Sequence, residues 1–309
     1  VRCLVVGGAG YLGGRVVDAA LAAGYEVRVY DNLTYEDAYL RDVDFVFGDV
    51  RARTRLAQHL AWADGVVWLA GIVGDGACAL DPLAATEINY DAVGWMVDHF
   101  DGRIIFTSTC SVYGAQDGLL TEDSSTGPLS LYALSKLAAE AYLTERDALI
   151  LRLGTLYGLG GRVRLDLVLN TFTARAVTDR RLRVLGGGQW RPLLHVQDAA
   201  DGIITALDGD YRGVVNLCSE NVQILDLAQR IQDTIPGTQL EIVDTPYTDA
   251  RSYRADAALA RQVLRFAPSL TVEDGIREVK ALIESGRIRD VNNPRWTNQA
   301  HLSRSSHAT

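Results

Sequence analysis

Apolar and polar positions along the chain follow two different periods. Short β-rich apolar runs lie at residues 2–6, 25–30, 43–47, 65–69, 103–106 and 148–152. Between most of them, apolar residues return every three or four positions, which predicts amphipathic helices. One follows Gly13, with Val16, Val17, Ala20 and Leu21 on one side and a stop near Gly24. Others are expected at 54–62, about 83–100 and 131–145. Strands alternating with helices predict an α/β fold, a doubly wound parallel sheet.

After Arg152 the pattern loosens. Gly154, Gly158, Gly160 and Gly161 interrupt the chain before a helical run at 165–176, a strand at 182–185 and three more glycines. Further elements are expected at 199–207, 213–217, 225–234, 257–264 and 272–284. This half reads as a smaller α/β lobe capping the open end of the sheet. The expected division is 1–152 for the first domain and 153–285 mainly for the second. Segments such as 193–207 return to the first, and 286–309 form an irregular polar tail.

Composition adds boundaries. The 309 residues are 48% apolar and 22% charged, as in an ordinary soluble globular protein. A net charge of −9 argues against nucleic acid as the main partner. Cys3, Cys78, Cys110 and Cys218 are far apart without metal-ligand spacing, and the histidines do not cluster, so neither disulfides nor a metal are expected. No apolar run reaches membrane-spanning length. Because the first run reads as a strand, no signal peptide is expected, and the expected setting is reducing and cytoplasmic.

The chemistry gathers at strand ends. The first strand breaks into Gly7-Gly-Ala-Gly-Tyr-Leu-Gly13, a GxxGxxG turn opening a helix, and the second strand closes on Asp31. Strand, glycine turn, helix, strand and acid are the order of a dinucleotide-binding unit. Gly7, Gly10 and Gly13, with Tyr11 and Leu12 at the helix start, bring backbone N–H groups to a pyrophosphate. Asp31, followed by Asn32, suits a ribose hydroxyl and would repel a 2′-phosphate, which favours NAD. Asp49-Val50, Leu69-Ala-Gly71 and Thr107–Tyr113 fall at other strand ends, where ligands of such sheets bind.

Tyr132 and Lys136 lie four apart on one helical face. A cation there lowers a phenol from its ordinary value near ~10, and Thr109 completes a proton relay to a substrate alcohol. Cys110 and Ser111 sit between these groups in sequence. Arg162 and Arg164, in a glycine-rich bend, are candidates for phosphate or carboxylate. His195 reads as a structural hydrogen-bonding residue and Asp198 as the N-cap of the helix after it.

Together, Gly7–Gly13, Asp31, Gly48-Asp-Val50, Leu69-Ala70, Asn89, Thr107–Gly114, Tyr132–Lys136, Leu156-Tyr-Gly158 and Trp190–Asp198 resemble extended short-chain dehydrogenases/reductases, and more narrowly their nucleotide-sugar epimerase/dehydratase branch. The resemblance, which runs to about residue 285, implies a Rossmann-type domain with a substrate-binding lobe, NAD, a nucleoside-diphosphate sugar and a homodimer. It makes Tyr132 the base, has Lys136 bind the nicotinamide ribose, and places Asp49 and Val50 beside adenine. Arg191, and Arg251 with Tyr253, match places that bind the sugar nucleotide's diphosphate.

Three departures bear on the reaction. Cys110 and Ser111 stand where 4,6-dehydratases of the branch carry Asp and Glu. Trp68 replaces a usual histidine, and Thr155 a usual asparagine. The reading is an NAD-dependent epimerase acting at C4 through a transient 4-keto sugar. The alternatives are a 4-ketoreductase or an atypical dehydratase using Cys110, and, from another class, a non-catalytic NAD-binding sensor.

Overall fold

The structure, a computed structural model, describes residues 1–243 and 250–305. In chain order the first half comprises β1 (Arg2–Val6), α1 (Tyr11–Ala22), β2 (Glu26–Asp31), β3 (Asp44–Phe47), α2 (Arg53–Leu60), β4 (Gly65–Trp68), α3 (Asp75–Leu80), α4 (Pro82–Thr86), a π-helical turn (Glu87–Asp91), α5 (Ala92–His99), β5 (Arg103–Thr109), a 3-10 turn (Cys110–Tyr113), β6 (Ala115–Leu120), α6 (Leu131–Leu143) and β7 (Ala148–Leu153). The second comprises β8 (Thr155–Tyr157), α7 (Val168–Thr178), β9 (Arg181–Leu185), β10 (Trp190–His195), α8 (Val196–Asp208), β11 (Gly213–Leu217), β12 (Glu220–Gln223), α9 (Ile224–Thr234), β13 (Gln239–Val243), β14 (Ser252–Ala255), α10 (Ala258–Val263), α11 (Val272–Glu284), a 3-10 turn (Pro294–Trp296) and α12 (Asn298–Ser305).

Seven parallel strands form the main sheet in the order β11-β7-β5-β4-β1-β2-β3. The expected doubly wound α/β sheet is present. β1 pairs with both β2 and β4, Leu4 lying opposite Arg28 on one side and Val66 on the other. The strand order reverses there, opening a crevice at the strands' C-terminal ends. Central strands are apolar on both faces because helices cover both: β4 and β7 are buried at every residue. Each fully buried Val, Leu or Ile contributes ~1.5–3 kcal/mol.

Beyond β7 the chain builds smaller sheets: β12-β10-β8, β13 with β9, and β14 with β6. A separate core around Tyr157, Leu169, Val184, Leu193, Leu227 and Ile276 supports them. The return to the large lobe is wider than residues 193–207: α8 packs on α1, and β11 joins the main sheet beside β7.

Two expectations change. Asp198 is not the N-cap of α8. His195 is, its side chain accepting the Gln197 N–H at 3.1 Å, while Asp198 lies inside the first turn and accepts from Ser269 and Leu270. Nor is the segment after Glu284 irregular throughout. Helix α12 packs back against α3, and the turn Pro294–Trp296 packs on α12. Residues 306–309 lie outside the described residues. The four cysteines are free and buried. No described helix is long and apolar enough to cross a membrane.

Candidate active site

One cavity of about 640 Å³ lies over the C-terminal ends of the main strands, roofed by the smaller lobe. Its size suits a ligand site. Gly7, Gly10, Tyr11, Leu12, Gly13, Asp31, Asn32, Asp49, Val50, Leu69, Ala70 and Gly71 all line it, as do Thr109, Ser111, Tyr132, Lys136, Arg162, Arg164, Arg191 and Arg251. The strand ends share this rim, so residues far apart in sequence converge on it.

The glycine turn has room for backbone only. Gly7 has φ +91, and a Cβ there would lie 2.6 Å from Ala70 N. A Cβ on Gly13 would meet Gly7 O at 2.3 Å. Gly10 caps α1 and no side chain bonds its first N–H groups, so the helix start faces the cavity as an anion site. Tyr11 contributes backbone here, because its hydroxyl turns away to donate to Gly158 O at 2.8 Å. Asp31 accepts from Ala9 N at 3.0 Å and Leu33 N at 2.7 Å. Burial raises its carboxyl, opposed by these backbone bonds, and a carboxylate keeps further lone pairs for ribose hydroxyls. Asn32 donates to Asp49 at 3.2 Å and holds Thr34, so it shapes the loop. These residues fit a dinucleotide without a 2′-phosphate.

At the reacting end, β5 runs three residues further than expected and delivers Thr107, Ser108 and Thr109 to the rim. Tyr132 and Thr109 both line this end of the cavity, and the Thr109 hydroxyl favours the ionised form of the phenol. Lys136 is 4% exposed, and its Nζ lies 4.2 Å from the centre of the Phe106 ring. Burial lowers its ammonium to about 7, with Glu140 opposing. Burial also dominates Tyr132, raising its phenol, and Arg164 with the Thr109 hydroxyl only partly offsets this. The cation that opposes burial at Tyr132 is Arg164 rather than the expected Lys136, whose own ammonium is disfavoured by the same desolvated wall.

Beneath them a buried ion pair fixes the helix to the sheet. Arg152 on β7 bonds Glu140 on α6 at 2.7 Å, and Ser108 on β5 donates to Glu140 at 2.5 Å. Asn89, in the π-helical turn, accepts from Ile72 N at 2.8 Å and donates to Ser135 Oγ at 3.2 Å, tying the loop after β4 to α6. Such turns often mark functional sites, but no sequence period announces them.

Cys110 requires correction as a catalytic and substrate-binding candidate. The 3-10 turn aims it inward, where its Sγ donates to Arg152 O at 3.1 Å, and it does not line the cavity. Burial, reinforced by Cys218, pushes the thiol well above its ordinary value. Ser111 faces the cavity instead, 3.0 Å from the Tyr253 hydroxyl.

The arginines differ in their engagement. Arg164 pairs with Asp166 at 2.9 Å, Arg251 with Asp75 at 2.8 Å, and Arg191 donates to Trp190 O at 2.8 Å and to Arg251 O. Arg162 is buried against Tyr35 and Asn298. Sequence reasoning missed Tyr35, Asp166 and Asn298 as lining residues, since none sits in a motif.

The sequence profile of the NAD dependent epimerase/dehydratase family matches residues 3–218. A dTDP-glucose 4,6-dehydratase of Streptomyces niveus is 29% identical over 316 residues, covering 90% of this chain and 91% of that one. A UDP-N-acetyl-alpha-D-glucosaminuronate decarboxylase of Bacillus cytotoxicus is 24% identical over 308 residues, covering 90% and 96%. Among solved structures, a UDP-glucuronic acid 4-epimerase from Bacillus cereus, in complex with UDP-glucuronic acid and NAD, superposes with a TM-score of 0.81 at 25% identity, covering 92% of this chain and 99% of that one. With the profile matched across the sheet, the glycine turn and the Tyr132 helix alike, the chain belongs to the NAD-dependent epimerase/dehydratase family of nucleotide-sugar enzymes, and its cofactor is NAD.

Proposed function

We propose that the protein is an NAD-dependent epimerase that inverts C4 of a nucleoside-diphosphate sugar. One observation carries the reading. Among the described residues lining the cavity, the groups near Thr109 and Tyr132 are the cations Lys136 and Arg164 and the hydroxyls of Ser111 and Tyr253, and no lining residue is a histidine or cysteine. The lining carboxylates lie elsewhere or are engaged: Asp31 and Asp49 at the ends of β2 and β3, Glu36 in the loop after β2, and Asp166 on Arg164. Elimination of water needs an acid and a base beyond Tyr132. Epimerisation needs neither, since the proton and hydride removed are those returned.

Tyr132 accepts the C4 hydroxyl proton with Thr109 as relay and gives it back after the sugar has turned. Bound along the glycine turn and Asp31, NAD would supply the hydride acceptor, and in its reduced form the donor, for C4. Lys136 supplies positive charge beside the phenol and reaches for the nicotinamide ribose. Arg191 and Arg251 are assigned to the diphosphate, which would displace Asp75 from Arg251. Burial of Cys110 removes the ground for a dehydratase built on that thiol. The chemistry of the relatives, UDP- and dTDP-sugars, sets the substrate panel.

A homodimer through α5 and α6, the helix after Asn89 and the one containing Tyr132, fits this reading, because Leu134 on α6 is 53% exposed. Sedimentation checks it. A cytoplasmic setting is in keeping with four free, buried thiols.

The decisive test incubates the protein with UDP-, dTDP- and GDP-sugars in deuterated water and follows products by NMR. The expected product is the C4 epimer with no deuterium on carbon. Deuterium at C3 or C5, loss of water, loss of carbon dioxide or net reduction would overturn the assignment.

A further inference from the structure

The segment after Glu284 crosses the cavity as a strap. Asn298 donates from Nδ2 to Val73 O and from its backbone to Asp166, both at 2.9 Å. His301 Nε2 lies 2.9 Å from Thr34 O, and Arg295 pairs with Glu36 at 3.7 Å. The strap thereby ties together the loops after β2, β4 and β8.

Beneath it lies Arg162. Its side chain is 6% exposed, its guanidinium stands 4.3 Å over the Tyr35 ring, and Nη2 donates to Asn298 Oδ1. Nη1 is buried with no hydrogen-bond partner and the residue lines the cavity. Both carboxylates facing this corner bond other arginines, Asp166 to Arg164 and Glu36 to Arg295. A buried cation next to a second arginine is costly, and burial with Arg164 lowers it to about 10. Such a group calls for an anion.

The backbone identifies the anion. Gly160 and Gly161 rest on the start of α1: Gly161 N donates to Tyr11 O at 2.7 Å, and a Cβ on Gly161 would lie 2.8 Å from Gly10 O. The next residue is Arg162. It therefore stands at the helix end that receives the dinucleotide's phosphates, which narrows the phosphate or carboxylate expected of it from the sequence.

We propose that Arg162 closes on the NAD diphosphate from the side opposite the α1 N-terminus, and that Asn298 in the strap holds it there. NAD is then gripped between a helix start and a guanidinium carried by the second half of the chain. This holds whichever reaction follows.

The test measures binding, not turnover. Cofactor-stripped wild type, Arg162→Gln and Asn298→Ala are titrated calorimetrically with NAD, ADP-ribose and UDP, with circular dichroism and melting curves confirming the fold. In Arg162→Gln, Kd for NAD and for ADP-ribose should rise together by ~10- to 100-fold, the range for one charge-assisted bond, with UDP unchanged. Asn298→Ala should show the same pattern more weakly, and Arg162→Lys should recover part of the loss. Unchanged NAD affinity, a loss confined to UDP, or an equal loss for all three ligands would each overturn the proposal.

Discussion

The Ser111 and Tyr253 hydroxyls lie 3.0 Å apart, one from the turn after β5 and the other from β14 of the smaller lobe. A second link, Arg251 to Asp75 at 2.8 Å, crosses the same gap. The sugar side of the cavity is thus set by polar contacts between lobes. Tyr253→Phe should lower kcat/KM about fivefold, the worth of ~1 kcal/mol for one neutral hydrogen bond, and leave NAD affinity unchanged. Steady-state kinetics beside a cofactor titration decide it. A loss of NAD affinity would place Tyr253 elsewhere in the mechanism.

Tyr132→Phe removes the proton acceptor and keeps the ring. Turnover should fall by ~10²- to 10⁴-fold, as for loss of a general base, with NAD content after purification unchanged. Turnover at the wild-type level would refute the assigned role.

Cys110→Ala should behave in the opposite way. The thiol is walled off from the cavity and bonds only Arg152 O, so kcat should stay within about twofold while stability drops by ~1 kcal/mol, the worth of a buried contact. Activity assays and urea melts on one preparation separate these effects. A collapse of kcat without loss of stability would restore Cys110 as a reacting group.

Lys136 ties stability to pH. Its folded-state value of about 7 lies below the ordinary 10.5, so between the two the unfolded chain binds a proton that the folded chain does not. Unfolding free energy therefore rises with pH across that window. Lys136→Met, measured without cofactor, should be more stable than wild type near and below pH ~7, and its advantage should shrink toward pH ~10. Urea titrations at a series of pH values test this. An advantage independent of pH would contradict it.

Much of this was legible in the sequence because burial leaves a period. Strands such as Ala148–Leu153 are apolar throughout, and their ends lie on one rim, so Gly7, Asp31, Ala70, Thr109 and Tyr132 could be placed together before any contact was known. What escaped lacks a period. A single 3-10 turn decides that Ser111 meets the cavity and Cys110 the core. Helix α12 is held by polar bonds to loops remote in sequence, such as Asn298 to Val73, so its residues read as a tail. The start of α8 was misplaced because His195, an unusual cap, serves where a carboxylate was expected.

The burial of every thiol has an experimental consequence. Cys3 lies on the central strand, Cys78 donates to Ile72 O under the loop after β4, and Cys218 donates to Ala255 O beside β14. Burial holds Cys3, Cys78 and Cys218 above their ordinary thiol range, and Cys110 likewise. An alkylating reagent reaches each sulfur only when the surrounding structure opens. Without any engineered probe, the chain carries four native clocks, and mass spectrometry of the labelled peptides reads how often each neighbourhood breathes.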